Sequence, residues 1–341
     1  MMPNQHQHSS ERFLVTGALG CIGAWIVRRL VRENVPVVAF DAATDTHRLR
    51  LLMDDAELSR VTFVRGDISD LATLQGILDA HRITHVIHLA ALIHPRFRSN
   101  PPLGARVNVL GGVNLFEAVA QRRAPVPRIV YASSIAIYGK PDTEVVAHGS
   151  PGNPDTLYGV FKQAEEAMAR VYFQDRGVTS IGLRPATVLG VGRDYGLTAA
   201  PTQAVLAAAQ GLPFHIPYAG RSHIHYADDL ARIFIACARA EYSGADAFNI
   251  RGTVADMRDL IRTIETVAPG ARGMITCDGP ALGLPEDYDA SALERVIGTL
   301  PCTPLPEAVR ETFDLFRCNI ASGMLDGAGA ANAGEAVARE A

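Results

Sequence analysis

Tyr158 and Lys162 form the pair of side chains whose spacing points most directly to chemistry. They are four residues apart, so on a helix the phenol and the ammonium lie one turn apart on the same face. A tyrosine has a reference pKa of about 10 and becomes a usable base near neutral pH only if a nearby cation favours the phenolate. Lysine is rare in this chain, because Lys140 is the only other one among 32 positive residues. The spacing therefore predicts a phenol that Lys162 makes usable as a base.

A glycine-rich turn lies near the start of the chain, directly after a short apolar run. Gly17 permits a tight turn, Gly20 lets the backbone approach a pyrophosphate, and Gly23 lets the following helix pack closely on the strand. The helix that begins here, with Cys21 and Ile22, presents an N-terminus that favours an anion. The turn predicts a dinucleotide-binding site made by these five residues, and the alternative is a glycine turn that holds no ligand.

Asp41 ends the second apolar run, 18 residues after Gly23. A carboxylate there can accept hydrogen bonds from both hydroxyls of an adenosine ribose and repels a 2′-phosphate, which favours NAD over NADP. The nearby His47, Arg48 and Arg50 leave NADP open. The alternative for Asp41 is an aspartate that caps a turn or a helix.

Further polar residues follow later apolar runs. Asp67 and Ile68 come after the third run, where the carboxylate could hold the amino group of an adenine, although an aspartate in that place is most often a turn residue. Ser133 and Ser134 end the fifth run, at the sheet edge where doubly wound folds bind ligands. Their hydroxyls could hold a substrate alcohol.

The elements that must position these residues alternate along the chain, as in repeated strand–helix–strand units with a parallel sheet. Brief apolar runs suited to burial on both faces predict six strands. The strands are predicted at Arg12–Thr16, Pro36–Asp41, Val61–Arg65, His85–Leu89, Arg128–Ala132 and Thr179–Arg184. Apolar residues at three- and four-residue spacing predict helices packed on that sheet. These helices are predicted at Cys21–Glu33, Leu103–Gln121 and Asp155–Arg176.

Glycine and proline become frequent after Arg184, which predicts short elements and loops that could line a cleft. A helix at Tyr226–Ala240 and a strand at Ala247–Ile250 then predict a return to the first sheet. We therefore expect an NAD-binding domain and a smaller C-terminal substrate-binding domain. The first would comprise residues 12–185 with 225–250 returning to it, the second residues 186–224 and 251–320, and disordered tails are expected at 1–11 and 322–341.

Composition excludes several classes of function. The chain has 341 residues, 48% of them apolar, and a formal charge of −4 without a long run of one sign, so it can build a proper core but has no electrostatic footprint for nucleic acid or an anionic membrane. It lacks the roughly 18 uninterrupted apolar residues that a membrane span needs. Five cysteines without a CxxC pair predict neither a disulfide framework nor a zinc site. We expect a cytoplasmic protein whose partner is a small molecule.

Several of these motifs occur together, and in order, in one known family. The glycine turn, Asp41, Gly66-Asp67, His88-Leu89-Ala90-Ala91, Ser134 and the Tyr158/Lys162 pair resemble the extended short-chain dehydrogenase/reductases, also called the NAD-dependent epimerase/dehydratase family. The resemblance runs from about Phe13 to Ile250. It implies a Rossmann-type α/β fold, a doubly wound parallel sheet, with NAD as the cofactor.

The resemblance also implies a role for each member of the reactive group. Ser134, four residues before Tyr138, would be the catalytic serine. Tyr158 would be the acid/base and Lys162 its partner. Asn108 would be the structural asparagine of the site.

Other implied roles concern the cofactor and the assembly. Leu89, Ala90 and Ala91 would flank the adenosine, and the backbone at Pro185 would meet the nicotinamide amide. The two long predicted helices would pack into the four-helix interface of a homodimer.

Three departures from the family pattern limit what can be carried over. Sugar-nucleotide members typically have an asparagine where this chain has Thr187, which disfavours a nucleotide-sugar substrate. Ile135 and Ala136 follow Ser134 where dehydratases place an acid pair, which disfavours dehydration. The residue before the lysine is Phe161 instead of a serine, a change that removes no catalytic group.

Loops over the expected cleft carry basic residues that could grip a carboxylate. Besides Ser134, substrate contacts are predicted at His94, Arg96, Arg193 and Arg221. The alternative for each arginine is a solvated surface position, since most arginines lie there. His223 and His225 have a spacing found in metal sites but no third ligand in the sequence, so no metal is expected.

These observations predict an NAD-dependent oxidoreductase. The Tyr158 phenolate would take the hydroxyl proton of a small polyol, sugar or hydroxy acid, Ser134 would position the oxygen, and a hydride would pass from the carbinol carbon to nicotinamide. One alternative is a sugar or nucleotide-sugar epimerase, which would use the same oxidation and then return the hydride. The other is an NAD-binding sensor or scaffold without turnover.

Overall fold

The structure, a computed structural model, describes residues 11–93, 99–124, 126–140 and 143–325. Its strands are short, most of them two to six residues of largely apolar sequence. In chain order they are β1 (Phe13–Thr16), β2 (Val37–Asp41), β3 (Thr62–Arg65), β4 (His85–His88), β5 (Ile129–Ala132), β6 (Val145–Val146), β7 (Ser180–Arg184), β8 (Thr187–Leu189), β9 (Phe214–Ile216), β10 (Arg221–Tyr226), β11 (Ala245–Asn249), β12 (Thr253–Asp256), β13 (Ile275–Cys277) and β14 (Asp287–Tyr288).

Seven of these strands form one parallel sheet in the order β11-β7-β5-β4-β1-β2-β3. The order reverses between β1 and β4, because the chain first builds outwards through β2 and β3 and then crosses back to β4. Ligands of doubly wound folds bind at the carboxyl ends of the strands where the order reverses. The fold therefore places the ends of β1, β4 and β5 at the candidate site.

Helices connect the strands and cover both faces of the sheet. They are α1 (Cys21–Arg32), α2 (His47–Arg50), α3 (Asp55–Leu58), α4 (Leu71–Ala80), α5 (Pro101–Ala105), α6 (Gly111–Ala120), α7 (Leu157–Arg176), α8 (Ala200–Gln210), α9 (Ala227–Arg239), α10 (Met257–Val267), α11 (Ser291–Ile297) and α12 (Leu305–Ala321). A π-helical turn, Arg106–Leu110, joins α5 to α6. Helix α7 is bounded by a Thr156 side chain that accepts from the backbone of Gly159 and by Gly177 in the left-handed region, as capping rules require.

The later part of the chain adds three small sheets beside the large one. Strands β8, β10 and β12 form one, and β13 with β9 and β14 with β6 form pairs. Helix α12 packs on α8 and α10. One apolar cluster includes residues of the first strand and of these later elements, from Phe13 to Phe316, so the β8-β10-β12 sheet and the β13–β9 pair are anchored to one face of the large sheet. The β14–β6 pair packs instead on the turn after β5, in a separate cluster.

The structure confirms the six predicted strands to within one residue at each end, and the expected later strand lies at Ala245–Asn249. One prediction about them was wrong: β3 is not buried on both faces, because it is the edge strand and leaves Phe63 44% exposed. The predicted second helix also differs, since it starts at Pro101 and contains the π-helical turn. Short elements were expected after Arg184, but this part of the chain also contains three long helices, α8, α10 and α12. The frequent glycines and prolines there mark mainly the ends of these helices.

The expected tails lie largely outside the described residues. Within the described part, Glu11 forms an ion pair with Arg239, and the backbone of Met324 donates to Asn319 at the end of α12. Both contacts attach the ends of the described chain to the fold. In the described ranges, no helix combines the length and the apolarity that crossing a bilayer would take.

Candidate active site

The glycine turn lies against the end of β4. Gly17 has a φ of +68°, and a Cβ at that position would stand 2.6 Å from the backbone nitrogen of Ala90. A Cβ on Gly23 would overlap the carbonyl oxygen of Gly17. The turn thus leaves no room for side chains where it meets β4 and α1, and the N-terminus of α1 presents backbone N–H groups to whatever occupies the bend. This cradle fits the pyrophosphate of a dinucleotide.

Asp41, at the end of β2, has its carboxylate tied to that same turn. One oxygen accepts from the backbone N–H of Leu19 and the other from that of Ala43, both at 3.0 Å. The side chain is therefore held in place beside the turn while keeping further lone pairs for ribose hydroxyls. Arg48, which could have favoured a 2′-phosphate, is instead committed to Asp194 through two hydrogen bonds of 2.9 and 2.7 Å.

Replacing Asp41 with alanine is expected to narrow the preference between the two dinucleotides. We expect the unmodified protein to bind NAD at least about tenfold more tightly than NADP, since the carboxylate accepts from the ribose hydroxyls and repels a 2′-phosphate. Calorimetric titration of both variants with both dinucleotides measures the change. Equal affinities of the unmodified protein for NAD and NADP would contradict the expectation.

Asp67 is engaged locally. Its carboxylate accepts from the backbone and hydroxyl of Ser69, both at 2.8 Å, and from Arg106 at 2.9 Å. The hydrogen bonds of Ser69 and the charge of Arg106 lower the pKa of Asp67. Ile68 next to it packs under Gly111 at the start of α6. Asp67 is thus a turn residue in this structure, and its expected contact to adenine stays a prediction.

Ser134 begins a tight turn after β5. Its hydroxyl accepts from the backbone N–H of Ala136 at 3.1 Å, and the next residue, Ile135, donates its N–H to the carbonyl of Pro185 at 3.3 Å. Ser134 is half-buried, whereas the hydroxyl of Ser133 is buried and donates to Glu166 at 2.5 Å. Of the two serines, Ser134 is therefore the one that can reach a ligand. Its turn lies beside Pro185, whose contact to the nicotinamide amide stays a prediction.

The first turn of α7 lies directly on the turn of Ser134. Gly159 makes this possible, because a Cβ there would overlap the carbonyl oxygen of Ala136. The preceding residue, Tyr158, is half-buried, and the Lys162 Nζ lies 6.0 Å from the centroid of its ring. The structure thus brings Ser134, Tyr158 and Lys162 together at the carboxyl edge of the sheet.

Lys162 is almost completely buried and forms an ion pair of 2.9 Å with Glu165. Burial disfavours the ammonium, but the charge and hydrogen bond of Glu165 together with the charges of Tyr158 and Glu166 more than offset burial and raise the pKa of Lys162. The other Glu165 oxygen lies 3.4 Å from Nε2 of His88 on β4. Nδ1 of His88 is in turn 2.6 Å from the hydroxyl of Thr16, the residue before the glycine turn. A line of buried polar groups therefore runs from the glycine turn to Lys162.

Asn108 lies in the π-helical turn and holds the segment that follows β4. Its side-chain oxygen accepts from the backbone N–H of Leu92 at 2.7 Å, and its amide donates to the carbonyl of the same residue at 2.9 Å. A π turn commonly marks a functional site, because it aims a side chain away from the regular helical direction. Asn108 thereby fixes the backbone just after Leu89, Ala90 and Ala91, which supports its predicted structural role.

A small cavity of about 10 Å³ opens next to the turn of Ser134. Its lining combines polar and apolar side chains, and the polar ones include Thr187, Ser222, His223 and Arg221. The hydroxyls of Thr187 and Ser222 are 3.1 Å apart. Arg221 extends over this cavity and pairs with Glu286 at 2.5 Å.

The remaining predicted contacts fall in different places. Arg193 donates to Thr198 at 2.7 Å and lies near Cys21, whose pKa burial raises to about 12, so it stands on the glycine-turn side of the cleft. His94 and Arg96 lie outside the described residues. His223 and His225 are buried, and in the described part of the chain no three His, Cys, Asp or Glu side chains cluster as metal ligands would.

Sequence reasoning missed the buried acids Glu165 and Glu166. Glu166 accepts from Arg184 through two hydrogen bonds of 2.8 and 2.7 Å, and Arg184 also donates to the hydroxyl of Tyr138 at 2.7 Å. The signal for one of them was present, because Glu165 follows Lys162 by three residues, a spacing that places two side chains together on a helix.

Comparisons with known proteins show the family of the chain. The model of the NAD dependent epimerase/dehydratase family matches residues 13–250. A UDP-glucose 4-epimerase of Mycolicibacterium smegmatis is 31% identical over 90% of this chain and 98% of its own length. The crystal structure of a Thermus thermophilus UDP-glucose 4-epimerase in complex with NAD is 28% identical, with a TM-score of 0.75 over 90% of this chain and 99% of that one.

An L-threonine dehydrogenase of Clostridium difficile shares the fold, with a TM-score of 0.79 over 92% of this chain and 99% of that one at 19% identity. The cofactor of the family is NAD, and the glycine turn fits it. The chain is thus an NAD-dependent enzyme of the extended short-chain dehydrogenase/reductase type, and it belongs to the NAD-dependent epimerase/dehydratase family.

Proposed function

We propose that the chain is a dehydrogenase that oxidises a secondary alcohol of a small polyol, sugar or hydroxy acid. The observation that carries the proposal is the placement of Tyr158, whose neighbour Gly159 lies against the turn that Ser134 begins, with Lys162 one helical turn behind it. A hydroxyl, a phenol and an ammonium at one sheet edge form the set that alcohol oxidation requires.

Each of these residues has a separate task in the proposed reaction. The Ser134 hydroxyl holds the oxygen of the substrate alcohol, and the Tyr158 phenolate takes the proton from that oxygen. Lys162, kept charged by Glu165, favours the phenolate over the phenol. NAD, when bound along the glycine turn, supplies the hydride acceptor.

The polar side chains that line the cavity next to Ser134, and not its small volume, support a small polar substrate. Thr187 stands where the family pattern for nucleotide-sugars has an amide, and its hydroxyl is 3.1 Å from that of Ser222. Arg221 offers a guanidinium to a carboxylate or another anionic group. That group would have to replace Glu286, the present partner of Arg221.

A second candidate function is that of a sugar or nucleotide-sugar 4-epimerase. It is favoured by the 31% identity to a UDP-glucose 4-epimerase along 98% of that protein. An epimerase would use Ser134 and Tyr158 in the same way, but it would return the hydride to the opposite face of the ketone.

One experiment separates these functions. The purified protein is incubated with NAD and a panel of polyols, sugars and hydroxy acids while NADH absorbance is followed, and in parallel with UDP-glucose while its C4 epimer is separated by chromatography. NADH accumulation with a small alcohol supports the dehydrogenase. Formation of the C4 epimer without net NADH establishes the epimerase and overturns the dehydrogenase. Binding of NAD with neither reaction indicates the sensor or scaffold.

We also propose a homodimer formed by α6 and α7. Apolar side chains that remain exposed on α7 and on the π-helical turn before α6 support it, namely Leu110, Leu157, Val160 and Val171. Exposed apolar residues grouped on neighbouring helices are typical of an interface.

Replacing Val171 with aspartate is expected to convert this dimer into a monomer, because the charge would be buried without a partner. The control is Phe63→Gln, which removes an exposed apolar side chain from the edge strand β3, outside the proposed interface. Light scattering at micromolar concentration measures the mass of each variant. A monomeric mass for the unmodified protein would contradict the proposal.

The five cysteines are all unpaired in the structure. Free thiols, including the buried Cys237, fit a reducing compartment. We therefore propose a cytoplasmic location.

A further inference from the structure

Three ionisable groups lie side by side in the interior between β4 and α7. Lys162, Glu165 and His88 are each at most 3% exposed, and the distances that join them are 2.9 Å from Lys162 to Glu165 and 3.4 Å from Glu165 to His88. Taking charges out of water costs several kcal/mol per ion unless partners compensate. Such an arrangement requires that each group have a partner that keeps it in place.

One arrangement of hydrogen bonds follows for the neutral member. The Thr16 hydroxyl accepts from the backbone N–H of Ala90 at 3.3 Å, and it can donate its own proton to His88 Nδ1 at 2.6 Å. His88 is neutral, because burial lowers its pKa to about 3. With Nδ1 accepting, the remaining ring proton must be on Nε2. Nε2 lies 3.4 Å from Oε1 of Glu165 without a hydrogen bond to that oxygen.

The two buried acids of α7 differ in what they hold. Glu166 is committed to Arg184 and Ser133, a pairing that joins α7 to strands of the sheet. Glu165 pairs instead with the ammonium behind Tyr158. Glu166 therefore stabilises the fold, whereas Glu165 contacts Lys162, the cation on which the reactivity of the Tyr158 phenol depends.

We propose that Glu165 is a positioning residue for Lys162. Glu165 keeps the ammonium charged and fixed behind Tyr158 before any dinucleotide is present. It also offsets part of the positive field at the phenol, and so sets the pH at which Tyr158 becomes a base. The statement about the pH at which Tyr158 becomes a base rests on the proposed function, whereas the statement that Glu165 positions Lys162 does not.

The groups that face this pair come from three elements. Tyr158 and Glu166 lie on α7 with it, His88 faces it from β4, and the buried phenol of Tyr131 faces Glu165 from β5. In the described part of the chain Lys162 is the nearest cation to Glu165. Removing the charge of Glu165 would thus leave Lys162 as a buried cation whose pKa burial lowers, next to a phenol that now feels the full positive charge.

The first test uses lysine itself as the probe and needs no enzyme activity. Because the chain has two lysines, isotope-labelled lysine gives two side-chain nitrogen signals by NMR, which Lys140→Arg assigns. We expect the Lys162 signal to remain that of an ammonium beyond the ordinary lysine pKa in the unmodified protein. In Glu165→Gln we expect it to lose its proton at least one pH unit lower, and Glu165→Asp should restore most of the difference.

The second test is the pH dependence of kcat/KM. In Glu165→Gln the rising limb is expected to move to lower pH by about one unit, and a falling limb should appear at alkaline pH as Lys162 deprotonates. The matched control is Glu117→Gln on α6, an acid that hydrogen-bonds to Tyr172, which should leave the profile unchanged. A purely structural role for Glu165 would lower the rate at all pH values and leave both limbs in place.

The outcomes are distinguishable from failure of the proposed function. An unchanged Lys162 titration in Glu165→Gln overturns the proposal, whether or not a substrate is known. A lowered titration in an enzyme that oxidises no alcohol supports the positioning of Lys162 and overturns only the proposed function. If Glu165→Gln does not fold, loss of the Lys162 proton at or below the ordinary lysine pKa in the unmodified protein overturns the proposal.

Discussion

Replacement of Tyr158 by phenylalanine is expected to lower kcat by about 10²- to 10⁴-fold while the affinity for NAD stays nearly unchanged. The phenol acts on the hydroxyl of the substrate and not on the dinucleotide, and phenylalanine keeps the ring that packs at the start of α7. Steady-state kinetics and calorimetric titration with NAD measure the two effects. A Tyr158→Phe variant that retains near-full activity on its true substrate would refute the assignment, and the glycine turn would then support cofactor binding alone.

Replacement of Lys162 by methionine is expected to do more damage, because it affects both turnover and NAD binding. It removes the charge that favours the phenolate and leaves Glu165 buried without its cation. Any residual activity should show a rising pH limb that is shifted upwards. The control variant is Lys140→Arg, which changes the exposed lysine and should leave turnover and NAD affinity unchanged.

The free energy of unfolding is expected to fall steeply as the pH drops below about 6.5, the ordinary pKa of histidine. Burial lowers the pKa of five histidines, namely His85, His88, His148, His223 and His225. Each of these groups takes up a proton more readily in the unfolded chain than in the folded one. The stability that depends on their neutral form is therefore fully present above pH 6.5 and is lost as the pH falls.

His88 is expected to make a contribution that can be measured on its own. Its pKa is lowered to about 3, so between pH 6.5 and that value it should account for a slope of about 1.4 kcal/mol per pH unit. Urea unfolding at a series of pH values measures the slope, which should be shallower by that amount in His88→Asn. The exposed His215 provides the control, His215→Asn. Identical slopes for all three proteins would contradict the expectation.

Much of the sheet could be predicted because parallel strands buried between helices are short uninterrupted apolar runs. The exception, β3, has the same kind of sequence as its neighbours, and its exposure follows only from its place at the edge of the sheet. Edge position is a property of strand order, which hydrophobic runs do not encode. The same limit applies to α8, α10 and α12, whose packing against one another appears only in three dimensions.

The candidate site could be predicted where neighbours in space are neighbours in sequence. Tyr158 and Lys162, the glycine turn and Ser134 each belong to a local motif. The partners of those motifs could not be predicted, because His88 reaches Glu165 and Ser133 reaches Glu166 only after the strands have aligned. Nor could spacing place Arg221 against Glu286, since the two belong to segments joined by no regular pattern.

The strand order also has a consequence for how the protein is made. The half of the sheet formed by β1, β2 and β3 comes from the first 65 residues, so it can form while the rest of the chain is still on the ribosome. The other edge is closed by β11 at 245–249, and the cluster on one face is completed only by α12. Contacts across so long a separation form slowly. During synthesis β7 therefore has an unpaired edge until β11 has been made. At this stage the chain is most exposed to chaperone binding and to aggregation.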